Sequence, residues 1–274
     1  MRSGWVCVRV AQSETVPVVT ERAALRPVVG GAIRSLAGGF EVGYIGEDGA
    51  EQRIGLADAW QTRFEWCRPA RVFPQYKGQR HFPGRWWSAT MGGHVGYESW
   101  LERDHLMLLD FDPAVVAVAS QPFWLFWTSE QGKARSHAPD YFARLTDGGA
   151  LVLDCRPAER IKPRDAAAFA ATADACEQVG WSYRVAGATD VIITRNVRWL
   201  AGYRHPRHDL IVVAAGLRQV FAQPEGLMAD AEAVGDPIAV LPVLFHLLWR
   251  HELRADLSVP LHPDTMVTTP PGRC

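Results

Sequence analysis

Two alternating segments on either side of Asp147-Gly148-Gly149 constrain this chain more than any other stretch. Lys133–Thr146 and Ala150–Arg156 are extended in character, and a short Asp-Gly-Gly turn between two such runs is a hairpin signal. With those three residues as the loop, Thr146 pairs with Ala150, Asp140 lies opposite Arg156 and Phe142 opposite Asp154. Side chains alternate faces along a strand, so Asp140, Asp154 and Arg156 are expected on one face. Pro139 and Pro157 then oppose each other and end the ladder.

Two carboxylates a few ångströms apart repel and call for a counter-charge. A divalent cation supplies one, and carboxylate-only ligands favour Mg²⁺, or Mn²⁺ as a substitute, over zinc. The same residues also suit a surface ion-pair cluster with Arg156. A helix is predicted over Tyr97–Phe111, where Glu98, Glu102 and His105 follow at i, i+4 and i+7 and offer a third acid, or simply a solvent-facing stripe. His137, at a strand end, is either a structural histidine or a phosphate contact.

The rest of the chain reads as an α/β core with a mixed sheet. Strands are expected at Phe40–Ile45, Glu51–Leu56, Val115–Ser120, Gln121–Trp127, Trp181–Val185 and Val191–Ile193. Pro163 opens a helix over Arg164–Gln178 that Gly180 closes, and Arg195–Ala201, Asp209–Ala222 and Pro237–Trp249 are helical. Residues 1–40 read as a loosely structured arm. Helices followed by short extended pieces at Leu253–Leu257, Pro260-Leu261 and Met266-Val267 suggest a small winged-helix-like C-terminal region. The expected division is an arm with short strands over 1–59, a core over 60–205 and a helical unit over 206–274.

The net charge of −1 excludes a polycation, so nucleic acid has to be met by a local basic surface. Arg63, Arg68, Arg71, Lys77, Arg80 and Arg85, interleaved with aromatic residues, form one candidate; a β-rich subdomain with a solvated cationic edge is the other reading of that stretch. Arg195, Arg198, Arg204, Arg207 and Arg218 form a second candidate or a solvated helix face. No stretch approaches the ~18 consecutive apolar residues of a membrane span. Five scattered cysteines, none at C-x-x-C spacing, suit a reducing compartment, and a cytoplasmic location without membrane attachment is expected.

An acid on a helix, Pro-Asp opening a strand and acid-x-cation on the partner strand resemble the PD-(D/E)xK nuclease core. The series Tyr97-Glu98-Ser99-Trp100-Leu101-Glu102-Arg103-Asp104, Leu108-Leu109-Asp110-Phe111-Asp112-Pro113, Ser120-Gln121-Pro122, His137-Ala138-Pro139-Asp140-Tyr141 and Asp154-Cys155-Arg156-Pro157 is similar to the TnsA-type transposase endonuclease subunit, over about residues 60–205. That resemblance implies a restriction-endonuclease-like mixed sheet flanked by helices. It implies a metal-dependent endonuclease that cuts double-stranded DNA at the 5′ ends of a mobile element, leaving a 5′-phosphate and a 3′-hydroxyl. The implied partners are a DDE-type transposase (TnsB-like) and an AAA+ ATPase (TnsC-like).

By position, Glu102 (with Glu98 in reserve), Asp140 and Asp154 become the metal ligands, and Arg156 stands where that family has its catalytic lysine. An arginine does not shed a proton, so Arg156 is expected to orient a phosphate or stabilise transition-state charge rather than act as a base. Two other functions suit the same residues: a non-catalytic adaptor bridging transposase, DNA and ATPase, and a stand-alone nuclease of the same fold.

Overall fold

The computed structural model describes residues 39–71, 73 and 82–270, and over these the chain is mixed α/β with seven α-helices. Residues 1–38 of the arm expected over 1–40, and Lys77 and Arg80, lie outside the described residues. Strands β1 (Glu41–Ile45) and β2 (Glu51–Gly55) form the expected first hairpin, followed by a short helix α1 (Leu56–Ala59). A two-stranded ribbon of β3 (Gly84–Ser88) and β4 (Gly93–Tyr97) precedes α2 (Trp100–Phe111). Next come β5 (Val115–Ser120), β6 (Trp124–Thr128), β7 (Ala134–His137), β8 (Tyr141–Leu145), β9 (Ala150–Cys155), α3 (Pro163–Gln178) and β10 (Ser182–Ala186). The C-terminal part holds α4 (Val191–Ala201), α5 (Ile211–Val220), β11 (Glu225–Gly226), α6 (Leu227–Val234), α7 (Pro237–Trp249), β12 (Arg254–Ala255) and β13 (Met266–Thr268).

The central sheet has the order β10-β9-β8-β5, with β10 parallel to β9 and the other pairs antiparallel. A second, antiparallel sheet has the order β2-β1-β6-β7. Alternation along β8 and β9 loads the central sheet on both sides. Phe142, Ala150 and Val152 pack with Phe64, Phe123, Leu125, Trp181 and the α3 residues Ala171 and Ala175. Tyr141, Ala143, Leu151, Leu153 and Cys155 pack with Leu106 and Leu109 of α2. A third core joins α4, α5, α6 and α7, and Met107 of α2 reaches into it.

The expected continuous strand over Lys133–Thr146 is broken. β7 belongs to the second sheet and β8 to the central one, and the chain crosses between them at Ala138-Pro139-Asp140. Pro139 has no amide to give to a ladder, which is why the strand stops there. The expected strand at Val191–Ile193 is instead the first turn of α4, because the Asp190 side chain accepts the Ile192 and Ile193 amides and caps a helix. Likewise α2 begins at Trp100 behind the N-cap Ser99, and Tyr97 ends β4.

The hairpin register also differs from the expected one. Tyr141 pairs with Leu153, Phe142 with Val152 and Arg144 with Ala150. The loop is Thr146-Asp147-Gly148, closed by Leu145 N–H to Gly149 O at 2.9 Å, with Gly148 in the left-handed region at φ 83°. Gly148 rather than Gly149 supplies the positive φ, which moves the loop centre by one residue and the register by two. A two-residue shift preserves parity. Continued past the ladder's end, the observed register sets Asp140 against Asp154, not Arg156, and Pro139 against Cys155, not Pro157.

Two polar anchors fix α2. Asp110, buried, accepts from Trp86 Nε1 (2.8 Å), Ser88 Oγ (2.6 Å), Ala89 N (3.1 Å) and Thr90 N (2.9 Å), which docks the β3–β4 ribbon onto the end of the helix. Asp104 takes both oxygens to Arg198 of α4 at 2.9 Å. In the C-terminal part the strands form a sheet ordered β11-β13-β12 around α6 and α7. Among the described residues no single helix is long and apolar enough to cross a membrane.

A methyl group added at Gly148 would have nothing within 4 Å, so Gly148→Ala meets only the left-handed backbone. It is expected to cost about 1–2 kcal/mol, read as a lower denaturant midpoint at unchanged m-value.

Candidate active site

Asp140 is the centre of the site. Along β9, the Arg156 amide turns to Ala186 O of β10 (2.8 Å), and the Cys155 amide turns the other way, toward β8. There the ladder has ended, and Asp140 Oδ2 accepts that amide at 2.8 Å. The carboxylate thus takes the place of the next ladder carbonyl and is held where the sheet stops. Burial pushes the Asp140 carboxyl well above the ordinary carboxylate range, and the charges of Glu102 and then Asp154 push it further. The Cys155 amide and Arg71 pull the other way without prevailing. Asp140 therefore feels the charge of both other acids named from the sequence, Glu102 on the α2 side and Asp154 on the α3 side.

Their individual settings differ from the expected helix face and strand face. Glu98 is not on the helix with Glu102 and His105; it precedes the cap. Its carboxylate pairs with Arg71, Nη1 at 2.8 Å and Nη2 at 3.1 Å. Glu102 sits in the first turn of α2, buried, with Oε1 accepting from Ser99 Oγ (2.9 Å) and Oε2 from the Glu98 amide (2.7 Å), while Ser99 Oγ accepts the Glu102 amide (3.2 Å). Ser99 is the N-cap, and the Ser-x-x-Glu spacing is a helix-start signal that the sequence carries, with Glu102 reaching the Glu98 amide one residue before the cap. Burial raises the Glu102 carboxyl against those two hydrogen bonds. His105 turns to Gly187 O at 2.8 Å, and burial lowers its pKa.

Asp154 is 3% exposed and faces the α3 side with Phe142 and Val152. His137 Nε2 donates to it, 2.9 and 3.0 Å from its two oxygens, and Tyr183 Oη donates at 2.6 Å. The His137 ring also packs edge-on against Phe169 of α3 at 5.6 Å. Sequence reasoning does not single out Tyr183: it pairs with Val152 across the parallel ladder, and only the alternation of β10 points to its facing Asp154. Arg156 is exposed just beyond β9.

The expected basic surfaces are only partly free. Arg63 is exposed beside Glu65 (3.6 Å) and Trp66; Arg68 donates to Glu47 O (3.2 Å); Arg71 is committed to Glu98; Arg85 is exposed on β3. In the second group, Arg198 is bound to Asp104, Arg218 to Glu252, and Arg204 donates to Trp87 O (2.8 Å) and stacks on Trp86 (3.9 Å). Arg195 and Arg207 remain exposed. A contiguous arginine face of α4 and α5 is therefore not what these residues form.

The donor set suits a hard cation in its chemistry: all are carboxylate oxygens, Glu102 and Asp154 are buried, and Asp140, half-buried, is pushed toward its neutral form by desolvation and by the other two. Glu102 and Asp154 have hydrogen bonds on both oxygens, and each oxygen retains a second lone pair. Among the described residues, no three His, Cys, Asp or Glu side chains are already gathered around one point. Compared with known proteins, the chain matches no family model and no curated protein.

A raised carboxyl makes a definite pH signature. The unfolded Asp140 ionises near its ordinary value of 3.8, while the folded one keeps its proton to higher pH. Stability contributed by that proton is complete below 3.8 and is lost as pH rises through the folded value. Asp140→Asn retains an acceptor for the Cys155 amide and has no charge to bury. It is expected to raise the thermal midpoint at pH 7, with the gain shrinking toward pH 4. Mg²⁺ or Mn²⁺ is expected to raise the midpoint of the parent and not of the variant.

Proposed function

We propose that this chain is a divalent-metal-dependent DNA endonuclease with a restriction-endonuclease-like core, acting beside a DDE-type transposase and an AAA+ ATPase at the 5′ ends of a mobile element. One observation carries the reading: a carboxylate at the end of a mixed sheet, Asp140, made unfavourable by burial and by two further acids from a helix and a neighbouring strand. The ordered motif series that resembles the TnsA-type subunit supports the transposase assignment. In the C-terminal part, the order α5-β11-α6-α7-β12-β13 with the sheet β11-β13-β12 supports a winged-helix-like unit. Its third helix, α7, is buried over Val243–Trp249. A helix buried in that way offers little to a DNA groove, which favours a protein partner for this unit over direct base reading.

Asp140, Glu102 and Asp154 are the residues that would hold Mg²⁺ or Mn²⁺. The chemistry such an ion supplies is a lower pKa for a bound water and relief of charge on the phosphoryl oxygens. His137 and Tyr183 fix the Asp154 carboxylate by two hydrogen bonds, which sets its orientation. Arg156 keeps a permanent charge at the exposed end of β9 and orients a phosphate without exchanging a proton.

A second reading, a nuclease fold kept as an adaptor, draws on different observations. Arg156 occupies the lysine position, and Glu102 has a structural task as a helix cap. The deciding measurement is cleavage of a labelled duplex bearing the element's ends, with Mg²⁺ or Mn²⁺ and the cognate transposase. Strand cutting at the 5′ ends is expected, reduced at least ~100-fold by Asp140→Ala. Glu102→Gln, which keeps an acceptor for the cap, is expected to reduce it too; unchanged cutting there assigns Glu102 to the cap alone. If the parent chain adds no cut to those of the transposase, the adaptor reading replaces the nuclease one.

A further inference from the structure

Ser120-Gln121-Pro122 is a motif to which the proposed function gives no task. Its central residue is unusual in three respects. Gln121 has φ 50°, and among the described residues only it and His251 are non-glycine residues in the left-handed region. It is 0% exposed. Among the described residues its buried side-chain Nε2 has no hydrogen-bond partner. Strained backbone and an unpaired buried amide both destabilise a fold, and an apolar side chain of similar length would avoid the second.

What the side chain does make is one contact to a charged group. Gln121 Oε1 accepts from Arg71 Nε at 2.5 Å. Only an acceptor can face a guanidinium, so the amide orientation is fixed and Nε2 is necessarily the atom left over. The backbone of Gln121 is held on both sides of the same place: its N–H donates to Asp140 O (2.9 Å) and its C=O accepts from Ala70 N (2.7 Å). Gln121 therefore ties the end of β5 to the central acid and to the segment that carries Arg71. With Gln121 on Nε, Glu98 Oε2 on Nη2 and Glu98 Oε1 2.8 Å from Nη1, the guanidinium plane is set, and three of its five N–H donors have no hydrogen-bond partner among the described residues. The Arg71 side chain is 29% exposed.

We propose that Gln121 is a positioning residue that holds Arg71 so that its free N–H donors meet a DNA phosphate beside Asp140. Arg71 makes the contact; Gln121 acts through it. The proposal rests on that part of the proposed function by which the chain binds duplex DNA. It assigns the motif to substrate placement rather than to folding.

The test is a double-mutant cycle on duplex affinity, measured by fluorescence anisotropy in Ca²⁺, with Mg²⁺-dependent cutting beside the transposase measured in parallel. Arg71→Met is expected to weaken duplex binding about tenfold. Gln121→Met is expected to weaken it several-fold with the thermal midpoint kept or raised, since the orphaned amide is removed. The double variant is expected to bind like Arg71→Met alone. Gln121→Asn, which suits the left-handed backbone but is too short to reach Arg71, provides the same comparison if Gln121→Met folds poorly.

Additive losses, or parent-like affinity in both Gln121 variants, would overturn the inference even where the parent cuts DNA. Non-additive losses with a parent that never cuts would keep the inference and remove the nuclease reading. A parent that neither binds nor cuts the duplex removes both.

Discussion

The hydrogen bond from the Cys155 amide to the Asp140 carboxylate is the junction on which the rest turns. A strand that outruns its partner leaves an amide without a carbonyl, and such a group inside a protein demands an acceptor. Pro139 ends the partner strand and Asp140 supplies the acceptor from its side chain. One residue thereby completes the central sheet and places a carboxylate at its margin. The two faces of the hairpin bring α2 against one side and α3 against the other, and with them Glu102 and the His137–Asp154–Tyr183 group.

Much of this is legible in the sequence. The hairpin around Asp147-Gly148, the helix between Pro163 and Gly180, and the apolar helix Pro237–Trp249 lie where their local chemistry puts them. The site survives an error in the loop: moving the left-handed glycine from 149 to 148 shifts the register by two, and even shifts keep every side chain on its face. What local pattern does not show comes from competing short-range signals or from distant contacts. Val191–Ile193 resembles a strand because β-branched residues favour one, and the Asp190 cap outweighs that preference. Periodicity assigns Glu102 to an acidic helix face, whereas the spacing of Ser99 and Glu102 is that of a cap. The Arg71–Glu98 and Arg71–Gln121 contacts span 27 and 50 residues, and nothing periodic announces such pairs.

The electrostatics are those of a site that works against its own fold. Glu102 and Asp140 are both pushed toward the neutral acid by burial, and the cations nearest to them are already engaged or peripheral: Arg71 with Glu98, Arg156 out in solvent. The apolar packing of three cores offsets that cost. The same physics explains why the second arginine group is poor as an open surface. Three of its members are spent on Asp104, Glu252 and the face of Trp86, holding elements together rather than waiting for phosphate.

The docking of the β3–β4 ribbon by Asp110 has a consequence of its own. A lone two-stranded ribbon is marginal in water and samples many shapes. Four donors from Trp86, Ser88, Ala89 and Thr90 converge on one buried carboxylate and remove that freedom. Arg85 is carried on this ribbon, so a molecule that contacts its edge meets a preorganised surface. The entropy of ordering is lost once, during folding, and not again at each encounter.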